Sequence, residues 1–392
     1  MRFDDLDLAD LRRRRGAKWG RYGPDVLPAW VADMDFEPPE PVRRAVLELV
    51  ETGDLGYPWI RGETNPVIDA FVARMHDRFG WAVDPERVAL TGDVLQPIAW
   101  LLELWSAPGD GVAIQTPIYP PFLRVVEETG RRVVDNPLGA ADAGAPLDLD
   151  GLRAALAAEG AEGRTKVLLL CHPHNPSGRV FTEAELRGLG ELAVERDLIV
   201  ISDEIHADLV YPGRRFTPFA ALEPAFAERT VTLTSATKAF NIAGLRLAVA
   251  VFGSARLHER WLRVHPFLLG GVGAPGIAAT VAAWRHGQPW LDELIGYLDG
   301  NRRLVEEFVT DRLPGVAHVK PEATYLAWLD CRELVRRKVT DNPAELFLEK
   351  AKVALNDGAD FGVHGQGFVR LNFATSRALL TEILERMEQA LL

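Results

Sequence analysis

Cysteine is scarce in this chain. Cys171 and Cys331 are the only two. They are too few for a disulfide framework and form no CxxC motif, so the sequence predicts a reducing, cytoplasmic setting. Basic charge is also in deficit: 44 lysines and arginines face 56 aspartates and glutamates, a formal net charge of −12. Nucleic-acid binding rests on phosphate neutralisation, and this balance argues against such a partner. The dense basic run Arg12 to Arg15 is short, follows acidic residues and reads as a solvated helix face. Long apolar runs are missing as well. Pro266 to Trp284 carries no charge, but Gly270, Gly271, Gly273, Pro275 and Gly276 interrupt it. A buried loop entering a helix fits that stretch better than a membrane span. The opening residues Met1 to Asp5 lack the apolar core of a signal peptide. Cys171, His172 and His174 lie close together, yet Pro173 and Pro176 fix a turn there. No further His or Cys cluster completes a ligand set, so no metal is expected.

What is present is ordinary globular material, 47% hydrophobic and 26% charged over 392 residues, enough for two or three domains. From about residue 88 to 252, short apolar runs alternate with helical patterns. The expected strands are Val88–Thr91, Val112–Gln115, Val167–Cys171, Leu198–Ser202, Val231–Thr234 and Leu247–Phe252. Between them, stretches such as Glu183–Arg196 place Leu186, Leu189 and Ala193 on one helical face. This predicts an α/β fold with a mostly parallel, doubly wound sheet, its last strand antiparallel because so few residues precede it. Pro28 to Pro41 reads as an extended arm outside the core. After Trp284 a smaller α+β domain is expected, with a helix over Trp290–Leu313, strands at Tyr325–Leu329 and Phe368–Phe373, and a helix over Arg377–Leu392. The expected divisions are 1–45 (arm and part of the small domain), 46–284 (large domain) and 285–392 (small C-terminal domain).

Polar motifs fall where the strands end. Gly92-Asp93-Val94 follows the first strand, Thr116-Pro117-Ile118-Tyr119 the second and Asn175-Pro176-Ser177-Gly178 the third; Asp203 and Ser235 end the next two. Ligands of open α/β sheets bind outside these carboxyl ends, so the motifs converge on one crevice. In Thr234-Ser235-Ala236-Thr237-Lys238, followed by Arg246, a lysine amine stands beside hydroxyls and a permanent cation. That set suits a Schiff base to pyridoxal 5′-phosphate (PLP). The same Ser-x-x-Lys spacing occurs in penicillin-binding enzymes, but the SDN and KTG those enzymes carry are missing here. Gly92-Asp93-Val94 is either a phosphate site at a helix start or a plain helix cap. Asp203 is either the partner of a protonated pyridine nitrogen or half of a structural ion pair. His206 either contacts the cofactor or caps a turn.

Asn175-Pro-x-Gly, Ser202-Asp203-Glu204-Ile205-His206, Ser235-x-x-Lys238 and Arg246 together resemble the fold-type I PLP enzymes, the aspartate aminotransferase superfamily, over nearly the whole chain. The segment Trp30-Val31-Ala32-Asp33-Met34-Asp35-Phe36 is similar to the MalY/PatB branch, cystathionine β-lyases and related cysteine-S-conjugate lyases. The resemblance implies Lys238 as the covalent anchor, Asp203 at the pyridine nitrogen, Asn175 at the ring hydroxyl and Tyr119 on the ring face. It implies a phosphate held by Asp93, Val94, Ser235 and Arg246, with Tyr57 donated by the second subunit of a homodimer with shared sites. Arg370, with Ala32 and Tyr119, would receive an amino-acid substrate through its α-carboxylate. Two departures stand out: His206 replaces a tyrosine common in aminotransferases, and the phosphate loop has no Ser or Thr after Gly92. The expected activity is α,β-elimination at the C–S bond of a cysteine S-conjugate, with Lys238 and Tyr119 as catalytic groups. The alternatives are amino-group transfer, or decarboxylation with or without oxidation.

Overall fold

The computed structural model describes residues 3–58, 65–139, 145–159 and 164–392. Its main sheet has seven strands: β1 (Val88–Thr91), β2 (Gly111–Thr116), β3 (Arg132–Pro137), β4 (Thr165–Cys171), β5 (Ile199–Asp203), β6 (Thr230–Thr234) and β7 (Ala248–Phe252). Their spatial order is β1-β7-β6-β5-β4-β2-β3. β7 runs antiparallel to both of its neighbours, and every other pairing is parallel.

β4 explains why the central strands read as continuous apolar runs. Val167, Leu169 and Cys171 pack with the helices Leu95–Trp105 and Pro120–Glu128 on one face. Leu168 and Leu170 pack with the helices Leu149–Ala157 and Glu183–Glu195 on the other. A strand covered on both faces has no polar side to alternate with. The helix Glu183–Glu195 starts at a capping box between Thr182 and Glu185 and buries Leu186, Leu189 and Ala193, the face expected. Parallel register then sets the strand ends side by side, with Cys171 opposite Asp203 and Asp203 opposite Leu233.

A second, antiparallel sheet of four strands has the order Asn356–Asp357, Phe368–Asn372, Leu326–Asp330, Ala317–His318. It packs in one core with the helices Gln288–Arg312 and Arg377–Gln389. Gly178 joins the two sheets. Its φ of +70° suits glycine, and a Cβ there would lie 2.3 Å from Pro321 Cβ. Its carbonyl accepts the N–H groups of Glu322 (2.9 Å) and Ala323 (2.8 Å).

Four expectations need correction. β3 was not foreseen: it is an edge strand with Arg132, Asp135 and Asn136 along it, so it lacks an apolar run. The Pro28–Pro41 segment is not outside the core. Ala29, Met34, Asp35 and Phe36 are all buried, because Leu27–Pro28 pairs in parallel with Val353–Ala354 and carries the following residues inward. The Pro266–Trp284 stretch is not a buried loop at its start, where Phe267 and Leu268 stand exposed. Its second half is the helix Ala274–His286. The basic run at the N-terminus mostly lies beyond the helix Leu8–Arg12 rather than on its face. Among the described residues no helix is long and apolar enough to cross a membrane.

Candidate active site

A cavity of about 520 Å³ opens over the carboxyl ends of β2, β4, β5 and β6. Its lining includes Ala32, Asp93, Val94, Tyr119, Asn175, Asp203, His206, Ser235, Lys238, Arg246 and Arg370, every candidate residue except Tyr57. Tyr57 is fully exposed in the single chain.

One end of the cavity is built for an anion. Asp93 caps the helix Leu95–Trp105 by accepting the Leu95 and Gln96 N–H groups at 2.8 Å, and its other oxygen pairs with Arg246. The helix cap is present, and the same arrangement is compatible with a phosphate site. The Asp93 carboxylate orders the helix start and the arginine, while an anion would be met by the backbone N–H groups of Asp93 and Val94 and by Arg246. Arg246 is held in a left-handed conformation, φ 49°. The Ser235 hydroxyl bonds the Leu247 carbonyl at 2.5 Å and the Thr237 hydroxyl at 2.9 Å. With a single proton to give, Ser235 must turn from Leu247 to donate to a phosphate, and Thr237 stands ready beside it.

The cavity floor holds a carboxylate that, among the described residues, forms no ion pair. Asp203 is buried and accepts the Ile205 N–H at 3.0 Å. Burial pushes its pKa up to about 7, opposed by that bond and by the Lys238 charge. A cationic ring nitrogen would supply the missing partner. His206 is also buried, and among the described residues its Nδ1 has no partner. Burial, aided by the Lys238 and Arg370 charges, lowers its pKa to about 3, so it works as a neutral imidazole. Lys238 donates to the Ala32 carbonyl at 2.8 Å. Burial lowers its pKa, and Asp33 partly restores it. An amine so placed keeps nucleophilic character. These groups together fit PLP: an amine for the aldehyde, a carboxylate for the ring nitrogen, and a helix start with an arginine for the phosphate.

The opposite wall carries Arg370. Its Nη1 donates to Asn175 Oδ1 (2.9 Å) and its Nη2 to the Trp30 carbonyl (3.2 Å) and Asn356 Oδ1 (2.5 Å). Its Nε is buried without an acceptor. Burial lowers its pKa to about 10, and among the described residues no carboxylate pairs with it. A buried guanidinium with a free N–H and only neutral partners suits a carboxylate from a ligand. Tyr119 begins the helix Pro120–Glu128, and burial raises the pKa of its hydroxyl.

The sequence reading missed what holds this wall. Asn241, three residues after Lys238, brackets the Met34–Phe36 backbone with three bonds of 2.7–3.1 Å. Asn372, two residues after Arg370, bonds the Val31 and Asp33 carbonyls at 2.6 Å. Tyr325 donates to Ala32 O at 3.0 Å. The Trp30–Phe36 segment is thus clamped between the lysine and the arginine, and its carbonyls orient both. Asn356 was also missed, although its register opposite Arg370 places it there. The nearest signal was that asparagines follow both key residues so closely. His172 and His174 lie apart from this chemistry. His172 stacks on Phe216 and Phe181, and His174 bonds the Ser177 hydroxyl at 2.8 Å.

The chain is similar to known proteins over nearly its whole length. The family model for aminotransferase class I and II matches residues 31–387. Cystathionine β-lyase PatB of Bacillus subtilis is 38% identical, covering 96% of this chain and 97% of its own. Cystathionine β-lyase of Corynebacterium glutamicum is 36% identical over the full length of both. The PLP-bound C–S lyase of Staphylococcus hominis superposes with a TM-score of 0.92 at 31% identity, covering 100% and 99% of the two chains. The chain therefore belongs to the aminotransferase class I and II family of fold-type I PLP enzymes, in its MalY/PatB branch.

Proposed function

We propose that this protein is a PLP-dependent carbon–sulfur lyase that cleaves cysteine S-conjugates of the cystathionine kind into a thiol, pyruvate and ammonia. The observation that carries this reading is full-length likeness to proteins named cystathionine β-lyase and C–S lyase. When bound, the cofactor would supply an electron sink for the charge left on the substrate's α-carbon. Asp203 keeps the ring nitrogen protonated, and Asn175 contacts the ring hydroxyl. Arg370 grips the α-carboxylate and turns the Cα–H toward Lys238. The Lys238 amine would take that proton. Tyr119, kept protonated by its raised pKa, would give a proton to the departing sulfur. The balance is thioether plus water to thiol, pyruvate and ammonia, with no oxidant consumed.

Two copies of the chain would complete each site, with Tyr57 reaching the partner's phosphate. Exposed Leu55, Phe267 and Leu268 supply apolar surface for that contact. Residues 46–284 would hold the cofactor, while 285–392 together with 1–45 would carry the substrate side. Cys171 and Cys331, both buried and free, support a cytoplasmic setting.

The test is turnover without a keto acid. Cystathionine should release pyruvate and thiol continuously, whereas amino-group transfer would stop after one cycle until a keto acid is added. Release of CO2 in step with turnover would point to decarboxylation. Lys238→Ala should stay folded but lose both turnover and the borohydride-reducible absorption of the bound cofactor.

A further inference from the structure

Arg370 is held by an amide where an acid would bind it more tightly. Asn356 Oδ1 accepts from Arg370 Nη2 at 2.5 Å, the shortest of the three bonds on that guanidinium. Elsewhere the same chain gives a buried arginine an acid, as Asp208 for Arg74. An acid stands next in line here too. The strand Asn356–Asp357 runs antiparallel to Phe368–Asn372, with Asn356 opposite Arg370 and Asp357 opposite Val369. Successive side chains leave a strand on opposite faces. Asn356 therefore lines the cavity, while Asp357 lines a separate cleft with Asn342 and Gln366. Both Asp357 oxygens are engaged on that side, by the Asn342 side-chain amide at 2.8 Å and the Ala359 N–H at 2.9 Å.

The other groups around the guanidinium are uncharged as well. Its carbon lies 4.9 Å from the centre of the Phe361 ring. The titratable groups that act on it are the hydroxyls of Tyr119 and Tyr325, and burial raises the pKa of both. A carboxylate at position 356 would neutralise the guanidinium before any ligand arrived, and would then repel the ligand's own carboxylate. We infer that Asn356 is a positioning residue whose lack of charge sets how strongly this site takes an α-carboxylate. It fixes Nη2 in place and leaves the positive charge to the ligand. The inference rests on Arg370 as the carboxylate's partner and adds what keeps that arginine available.

The test sets Asn356→Asp, which puts an oxygen in place of the amide NH2, against Asn356→Ala. Two ligands are titrated into the cofactor-loaded proteins, S-ethylcysteine and its carboxylate-free counterpart 2-(ethylthio)ethylamine, with Kd read from the absorption change of the bound cofactor. Asn356→Asp should weaken S-ethylcysteine by roughly ten- to hundredfold, the scale of one hydrogen bond to a charged group, and should not weaken the amine. Asn356→Ala frees Nη2 without neutralising it, so the loss for S-ethylcysteine should be only roughly two- to tenfold. Urea unfolding of the cofactor-free proteins supplies a second sign. Asn356→Asp should unfold at higher urea than the unaltered chain, because a buried open charge has gained a partner, and Asn356→Ala should not. A purely structural role would lower stability in both variants and shift both ligands together. That result overturns the inference, as does an Asn356→Asp protein that binds S-ethylcysteine as tightly as the unaltered chain. If the unaltered chain binds both ligands alike, Arg370 does not read the carboxylate, and the inference falls with that assignment. Binding and unfolding are read without turnover, so a chain that proved to transfer amino groups rather than cleave C–S bonds would still decide the matter.

Discussion

Two sets of buried charges in this molecule are built in opposite ways. Lys18–Asp35 and Arg74–Asp208 are closed pairs, at 2.8 and 2.7 Å. Their remaining polar atoms are engaged too: Asp35 accepts from Trp19 Nε1 at 2.7 Å, and Arg74 donates to Gln288 at 3.1 Å. Asp203 and Arg370 are buried as deeply, yet among the described residues each meets only neutral hydrogen-bond partners. Desolvating an unpaired charge is costly, so a fold keeps one only where something else completes it. The closed pairs hold the chain together. The open charges await a ligand, and their displaced pKa values follow from that isolation.

The contrast breaks first at Arg74. Arg74→Ala leaves Asp208 buried without its main cation and should cost about 3–5 kcal/mol of stability. Urea denaturation measures the loss, and turnover per folded molecule should hold. A loss no greater than that of a surface substitution would mean the pair is not structural.

Asp203→Asn should do the reverse. With its carboxyl near 7 in the folded protein, against about 3.9 in an unfolded chain, folding takes up a proton between those values. The stabilisation is whole below the unfolded value and fades as pH rises toward 7, by on the order of 2–4 kcal/mol. Cofactor-free Asp203→Asn lacks this titration, so its stability should vary less between about pH 5 and pH 8. Glu204 is raised to about 8, chiefly by its burial, and the Asp203 charge adds to that rise, so the variant should lose part of the Glu204 pH dependence as well. Bound cofactor should abolish the difference by supplying the cation. Turnover should collapse in the variant even where its stability improves. Identical pH–stability curves for both cofactor-free proteins would remove Asp203 from the open set.

Arg370→Lys comes next. A lysine keeps the charge but loses the fork, and a hydrogen bond to a charged group is worth about 1.5–3 kcal/mol. KM for every conjugate should rise by roughly ten- to hundredfold, with cofactor content unchanged. An unaltered KM would place the α-carboxylate elsewhere.

Of the open set, Asp203 was legible in the sequence and Arg370 came only with the family resemblance; the closed set was not legible. Asp203, Ser235 and Asn175 directly follow or end apolar runs, and parallel pairing brings those ends together whatever the rest of the chain does. The clamp on Trp30–Phe36 depends on contacts between residues more than 200 positions apart, such as Met34 with Asn241. Local periodicity carries no trace of such contacts. A proline-rich stretch reads as exposed because proline cannot join a ladder. Here the side-chain amides of Asn241 and Asn372 meet the Val31, Asp33, Met34 and Phe36 carbonyls. Arg370, Lys238 and Tyr325 meet those of Trp30 and Ala32, which is how the stretch can be buried. Edge strand β3 escaped for a related reason, since polar Arg132, Asp135 and Asn136 interrupt its apolar residues.

Tyr57 fits neither set and should give the smallest effect. It is fully exposed in this chain, while the proposal sets its hydroxyl on the partner's phosphate. One such hydrogen bond contributes about 0.5–1.5 kcal/mol, so Tyr57→Phe should weaken cofactor binding by roughly two- to tenfold. The loss should also depend on assembly. At protein concentrations where the dimer persists, the variant should bind the cofactor less tightly than the unaltered chain. Diluted until subunits separate, the unaltered chain should fall to the variant's affinity, because neither then receives a second tyrosine. Cofactor titrations across a dilution series, with mass measured in parallel, read both effects. If the two proteins bind alike at every concentration, Tyr57 has no part in the phosphate site, and the exposed surface around it needs another explanation.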